Sequence, residues 1–154
     1  MSDTPSPPST WEILERRWRA GFHQLTEEEQ QTIALWWLEA ETMNGTLDQF
    51  FWNSAGDLAL VARAGLVRLQ QHTTLQALDS ALAHFGPGYP TDRNRRIDML
   101  EAIEAEHGED VFEAPSRIIQ DLPEDFVAAA LEQLAPRYAR EQETAQPPAA
   151  KGDA

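Results

Sequence analysis

Cysteine is absent from the 154-residue chain, which excludes disulfides, thiol nucleophiles and thiolate zinc sites, and suits a reducing cytoplasm. Positive charge is scarce: Lys and Arg total 12 against 26 Asp and Glu, a formal net charge of -14. Such a molecule repels nucleic acid and anionic membrane and attracts basic surfaces, so direct nucleic-acid or membrane binding is not expected. The longest apolar run, Leu58 to Leu69, is interrupted by Arg63 and Arg68 and falls well short of the ~20 residues a bilayer span needs. Residues 1–10 carry no basic stretch followed by an apolar segment, so no export signal is expected. No alternating β-branched run between turns and no fixed repeat occurs. Catalytic patterns are also lacking. There is no His-Glu-x-x-His and no Gly-x-Ser-x-Gly, and Gly86-Pro87-Gly88 lacks the lysine of a phosphate loop. Of His23, His72, His84 and His107, only His107 has a carboxylate, Glu104, at helical two-ligand spacing, and a histidine near a helix C-terminus already gains from the helix dipole. The expectation is a non-enzymatic protein without cofactor or metal.

What is present is helical. Hydrophobic residues make up 42 % of the chain, with five Trp and six Phe, enough for one core. Ser9 with Glu12 and Thr26 with Glu29 have capping-box spacing, each opening an apolar stripe: Trp11, Leu14, Trp18 and Phe22 in the first, Ile33, Trp36, Trp37, Ala40 and Met43 in the second. Arg16, Arg17 and Arg19 lie mostly off the first stripe and are expected to pair with the protein's own carboxylates. The helix from Asp57 to about Gln70 is apolar nearly all round and reads as the central buried one. Further helices are predicted from Thr74 to Phe85, from Thr91 or Asp92 to His107, and from Pro123, with two short pieces around Pro115 and a kink at Pro136. The fold class is therefore all-α, a single-domain bundle of about seven to eight helices over residues 9–141, with disordered tails at 1–8 and 142–154.

The stretch Glu41 to Asp57 compresses two chain reversals and a short helix. Asn44 and Gly45 suit a left-handed helix stop, and Thr46 with Gln49 has capping-box spacing ahead of Phe50, Phe51 and Trp52. Asn53 to Gly56 form a second stop, and Asp57 is placed to cap the next helix. Capping accounts for the polar residues Asn44, Gln49, Asn53 and Asp57, which could otherwise converge on a small ligand. Glu41, Asn44-Gly45, Gln49-Phe50-Phe51 and Asn53 to Asp57 also resemble the signature of the DNA mimic protein 19-like domain family, with Thr46 standing in for a second glycine. The resemblance extends to the order of helices over roughly 40 to 135. It implies an all-helical fold without catalysis, and its founding member is thought to imitate DNA to a DNA-binding protein.

Charge is distributed unevenly. Asp98, Glu101, Glu104, Glu106, Glu109, Asp110, Glu113, Asp121, Glu124 and Asp125 face a single cation, Arg117, so residues 98–125 carry a formal -9. Carboxylates three residues apart on a helix rise by about 4.5 Å, comparable to the ~3.4 Å axial step between phosphates of one DNA strand. Apart from Glu106, which points to a different side, these nine carboxylates form the candidate partner-binding face. Three readings follow: an acidic protein that binds a basic protein surface, with DNA mimicry as its finer form; an immunity-like or antitoxin-like inhibitor of a basic toxin; and a small-ligand-binding helical module built on the 44–57 corner. A homodimer is compatible with all three.

Overall fold

Local capping determines where the first two helices begin. Ser9 Oγ accepts the Glu12 N–H at 3.2 Å while the Glu12 carboxylate accepts the Ser9 N–H at 2.9 Å, opening α1 (Thr10–Ala20). Thr26 and Glu29 repeat the reciprocal pair and open α2 (Glu27–Asn44). The computed structural model describes residues 6–145, and the chain continues with α3 (Leu47–Trp52), α4 (Ala59–Arg68), α5 (His72–Leu82), α6 (Arg93–His107), α7 (Glu113–Gln120) and α8 (Phe126–Ala145). Short 3-10 turns at Phe22–Gln24, Ser54–Leu58 and Ala83–Phe85 link them, and no strand occurs among the described residues. The protein is a single all-α domain, as its sequence pattern predicts.

The central helix is α2, not α4. It packs against α3, α4, α7 and α8 and buries Ile33, Ala34, Leu35 and Leu38. Apolar residues surround α4 in sequence, yet Leu60 and Val67 are about half exposed. Small residues explain why one face of α4 suffices: a Cβ on Gly65 would lie 3.1 Å from Leu35 Cδ1 and 3.2 Å from Gln31 Cβ, so the two helices approach closely along Ala59, Ala62 and Gly65. The main core gathers Phe50, Phe51, Phe85, Phe112 and Phe126. Phe51 sits among four aromatic neighbours, Phe85 at 4.9 Å, Phe112 at 5.2 Å, Phe50 at 5.7 Å and Tyr89 at 6.0 Å between ring centroids. A second cluster of Leu14, Leu25, Ile33, Leu134 and Tyr138 fastens α1 and the far half of α8 to α2. Each fully buried side chain of this size contributes about 1.5–3 kcal/mol of transfer free energy.

The prolines interrupt less than their sequence positions suggest. Pro115 lies in the first turn of α7, where helix N–H groups have no intrahelical partner, so Ala114 stays helical. Pro123 precedes α8 without opening it; Asp125 does so, its Oδ1 accepting the Ala128 N–H at 3.2 Å. Pro136 falls within α8 and on its exposed side, where water can satisfy the carbonyl it leaves without a donor, and the helix runs on through Gln142 to Ala145. Beyond Pro136, buried Tyr138 donates to Glu29 at 2.5 Å, and Arg17 pairs with both Glu29 and Glu141, so α8 stays docked. Arg19 pairs with Glu15, leaving two of the three early arginines matched to the protein's own carboxylates. Residues 6–8 are non-helical; the remainder of the two predicted tails, 1–5 and 146–154, lies outside the described residues.

Candidate functional site

The 41–57 corner is built from side-chain to backbone bonds, though not the ones its spacing suggests. Thr46 is the N-cap of α3 but makes no capping bond; its hydroxyl donates to Asp48 Oδ2 at 3.0 Å. Gln49 does not reach back to Thr46 either. Its amide donates to Glu41 Oε2 at 2.7 Å, and Asn53 Nδ2 donates to the same oxygen at 3.0 Å, so one carboxylate ties both ends of α3 to the end of α2. Gly45 is not left-handed, with φ -151° and ψ -116°. Space favours glycine there: an added Cβ would collide with Gln49 Oε1 and lie 3.1 Å from its Cδ, so the Gln49 amide bound to Glu41 would have to shift. Asn44 is exposed at the last position of α2 and makes no side-chain bond among the described residues. From α7, Gln120 Nε2 donates to the carbonyls of Thr42 and Gly45, and Ser116 Oγ accepts the Leu47 N–H.

Asp57 is not a helix cap. It lies in the Ser54–Leu58 turn, and its carboxylate meets Arg96 Nη1 at 2.8 Å. Arg96 is fully buried, and its guanidinium donates to the carbonyls of Phe51, Asn53, Pro90 and Thr91 at 2.6–3.2 Å. A desolvated guanidinium is tolerable only when its donors are matched in this way. Tyr89 borders the guanidinium and donates to the Gly56 carbonyl at 2.6 Å. Gly56 leaves room for this arrangement, since a Cβ there would lie 2.9 Å from Arg96 Nε and 2.6 Å from the Phe50 carbonyl oxygen. Phe50 and Phe51 are core residues. The conformation of Glu41, Gln49, Asn53, Gly56 and Asp57 is thus accounted for by contacts within the fold, while Thr42 Oγ1 and Asp48 Oδ1 are buried without a hydrogen-bond partner among the described residues.

The acidic residues separate into two regions. Glu101 and Glu104 on α6, Glu109 and Asp110 in the following turn, and Glu113 on α7 gather around Asp48 of α3, with Asp98 one turn up α6 and exposed. Asp48, Glu109, Asp110 and Glu113 line a pocket of about 430 Å³ together with Thr46, Ser116, Gln120 and one cation, Arg117, which pairs with Glu113. Asp48, which spacing alone did not assign to the face, belongs to this patch; its position on α3 separates it in sequence from the acidic run. Burial, then the Asp48 carboxylate beside it, then Glu109 and Glu101 push Glu104 up to about 7. Asp48 Oδ1 is buried without a hydrogen-bond partner among the described residues, and its carboxylate lies beside that of Glu104. Glu104 thus lies beside Asp48, while the His107 ring lies against His84 at 5.0 Å. Among the described residues, no three of His, Asp and Glu stand close enough together to hold a metal ion.

The second region is largely structural. Glu124 Oε1 accepts the Thr74 N–H at 3.0 Å and so serves the start of α5. That removes Glu124 from a free acidic face. Asp125 caps α8 and lies near Glu39 of α2, whose carboxyl is raised by burial and by Asp125. Asp121 is exposed at the end of α7.

An all-helical acidic protein whose 41–57 corner is fixed by internal bonds, with a carboxylate patch beside it, defines the class. The family model described as DMP19-like protein matches residues 23–142, and the chain belongs to that family. No curated protein and no solved structure matches the chain.

Proposed function

We propose that this chain is a non-enzymatic cytoplasmic protein that binds a basic protein surface through the patch formed by Asp48, Asp98, Glu101, Glu104, Glu109, Asp110 and Glu113, and that the partner is a DNA-binding protein whose DNA site the patch imitates. One observation carries the reading. Carboxylates from α3, α6 and α7 crowd together, burial and then the neighbouring Asp48, Glu109 and Glu101 push Glu104 up to about 7, and among the described residues Arg117 is the one cation lining the pocket beside them. Uncompensated charge of this density costs self-repulsion, which an approaching Lys- or Arg-rich surface relieves. Membership of the DMP19-like family supports the finer form, imitation of DNA. No described helix is long and apolar enough to cross a membrane, and the net charge of -14 opposes contact with nucleic acid itself.

The test replaces carboxylates that make no bond within the fold. Glu101→Gln, Glu109→Gln and Asp110→Asn together should leave cooperative unfolding unchanged or slightly stabilised, since like-charge repulsion falls. Association with a partner captured from native cells should weaken by at least tenfold at low salt. Full affinity in the triple variant would remove the patch from the mechanism.

A further inference from the structure

A second surface feature lies away from the patch and rests on different observations. Between α1, α2 and α8 runs an open trough of about 670 Å³ walled by Trp11, Trp36, Ala40, Met43, Val127, Ala128 and Leu131, with Glu39 and Asp125 as its charged lining residues. On α2 the residues Trp36, Glu39, Ala40 and Met43 follow i, i+3, i+4, i+7 spacing, a stripe about 10 Å long that is half-buried at Trp36, Glu39 and Ala40 and exposed at Met43. Met43 is 48 % exposed although it belongs to an apolar stripe, and Trp11 stacks on Trp36 at 5.4 Å to form one end of the trough. Trp11 precedes the family-matched residues 23–142, so this wall comes from outside the matched region.

Charge decides the occupant. Glu39 makes no ion pair among the described residues, Asp125 uses one oxygen to cap α8, and no cation lines the trough. A second copy of the chain would bring another net charge of -14 to this surface, so self-association is opposed. We propose that the trough docks an amphipathic basic helix, its apolar side chains seated on Trp11, Trp36, Met43 and Leu131 and its Lys or Arg side chains paired with Glu39 and Asp125. The raised carboxyl of Glu39 fits this role, because a bound cation restores the charged form that burial and Asp125 disfavour. This inference does not rest on the patch at Asp48, and it adds an apolar, shape-dependent contact to one governed by charge.

The probe is a labelled 14-residue peptide with Leu at i, i+3, i+7 and i+10 and Lys on the flanks of that stripe, compared with a scrambled peptide of the same composition. Fluorescence anisotropy with the full chain should show the patterned peptide binding at least tenfold more tightly than the scrambled one. Glu39→Gln with Asp125→Asn, which keeps a capping oxygen at 125, should reduce that affinity about fivefold at low salt, the scale expected of two partly exposed ion pairs. The patch variant Glu101→Gln, Glu109→Gln, Asp110→Asn should leave it unchanged, so failure of either site is seen separately. Labelling the methionine methyls supplies a local readout: on peptide addition the Met43 resonance should shift while that of Met99, on α6, stays fixed. Equal binding of the scrambled peptide, or an unmoved Met43 resonance, would overturn the proposal.

Discussion

Arg96 is the residue on which the 51–57 corner depends most, and replacing it with Met tests how the corner is held. Methionine fills much of the same volume, so the substitution removes charge and donors with little cavity. Four carbonyls, of Phe51, Asn53, Pro90 and Thr91, then lose a buried donor, and Asp57 loses its cation. Leaving a buried acceptor unpaired costs about 1–3 kcal/mol each, but the chain relaxes and water reaches the outer two carbonyls, so the net loss should be about 3–5 kcal/mol. For a domain of this size that lowers the midpoint of thermal unfolding by roughly 10 °C or more. Asp57→Asn is the companion variant. Asp57 is 47 % exposed and supplies one of several partners, so solvent screening limits its cost to about 1 kcal/mol or less. Urea titration followed by far-ultraviolet circular dichroism measures both. If Arg96→Met costs under about 1 kcal/mol, or no more than Asp57→Asn, the corner is not held by the buried guanidinium and the reasoning fails.

Gly45→Ala should destabilise by about 1–3 kcal/mol through overlap with Gln49, and Gln49→Ala introduced with it should return part of that loss; strict additivity in the double-mutant cycle would show that the clash is not the cause. Glu104 is an acid whose folded value, about 7, lies above the ordinary 4.5, so the folded state binds the extra proton and stability should fall as pH rises between these values, then level off. Glu104→Gln should flatten that fall and be more stable than wild type at pH 8 by chemical denaturation, whereas an unaltered pH profile would contradict the raised Glu104 carboxyl. Tyr138→Phe removes a hydrogen bond to Glu29, which is 1 % exposed, and should cost about 1–3 kcal/mol; hydrogen exchange should show the loss concentrated in α8 beyond Pro136, and uniform exchange would argue against that anchor.

Short-range features are legible in the sequence where no distant partner competes; the Thr46–Gln49 box, with the same spacing, is not formed because Gln49 is taken by Glu41. The Ser9 and Thr26 boxes follow from bonds between residues three apart, and both are present. Gly45 was identified as constrained for the wrong reason, because spacing cannot distinguish a left-handed glycine from one crowded by a neighbouring side chain. Asp57 and Glu124 looked like a cap and a free carboxylate, and each is claimed by a distant partner, Arg96 and Thr74, that no local pattern reveals. Arg96 itself reads as part of a basic, solvated run with Arg93 and Arg95. A signal existed nonetheless: Arg96 is in phase with Leu100 and Ile103, so its position belongs to the buried stripe of α6. Likewise the family-like signature at 41–57 encodes a way of fastening α3, while the residues proposed to meet a partner come mainly from α6 and α7, with Asp48 joining them across the fold.

Competition with duplex DNA tests most directly whether a basic DNA-binding surface fits the carboxylate patch. A partner captured from native cells is titrated with wild type and with Glu101→Gln, Glu109→Gln, Asp110→Asn, in the presence and absence of duplex DNA, over a range of salt. Wild type and duplex should displace each other, affinity should fall steeply with salt, and the variant should lose at least tenfold. Simultaneous binding of wild type and duplex to the partner would contradict imitation of DNA, and if the variant still lost affinity, the patch would instead be a blocker of a basic surface of another kind, such as a toxin's active site.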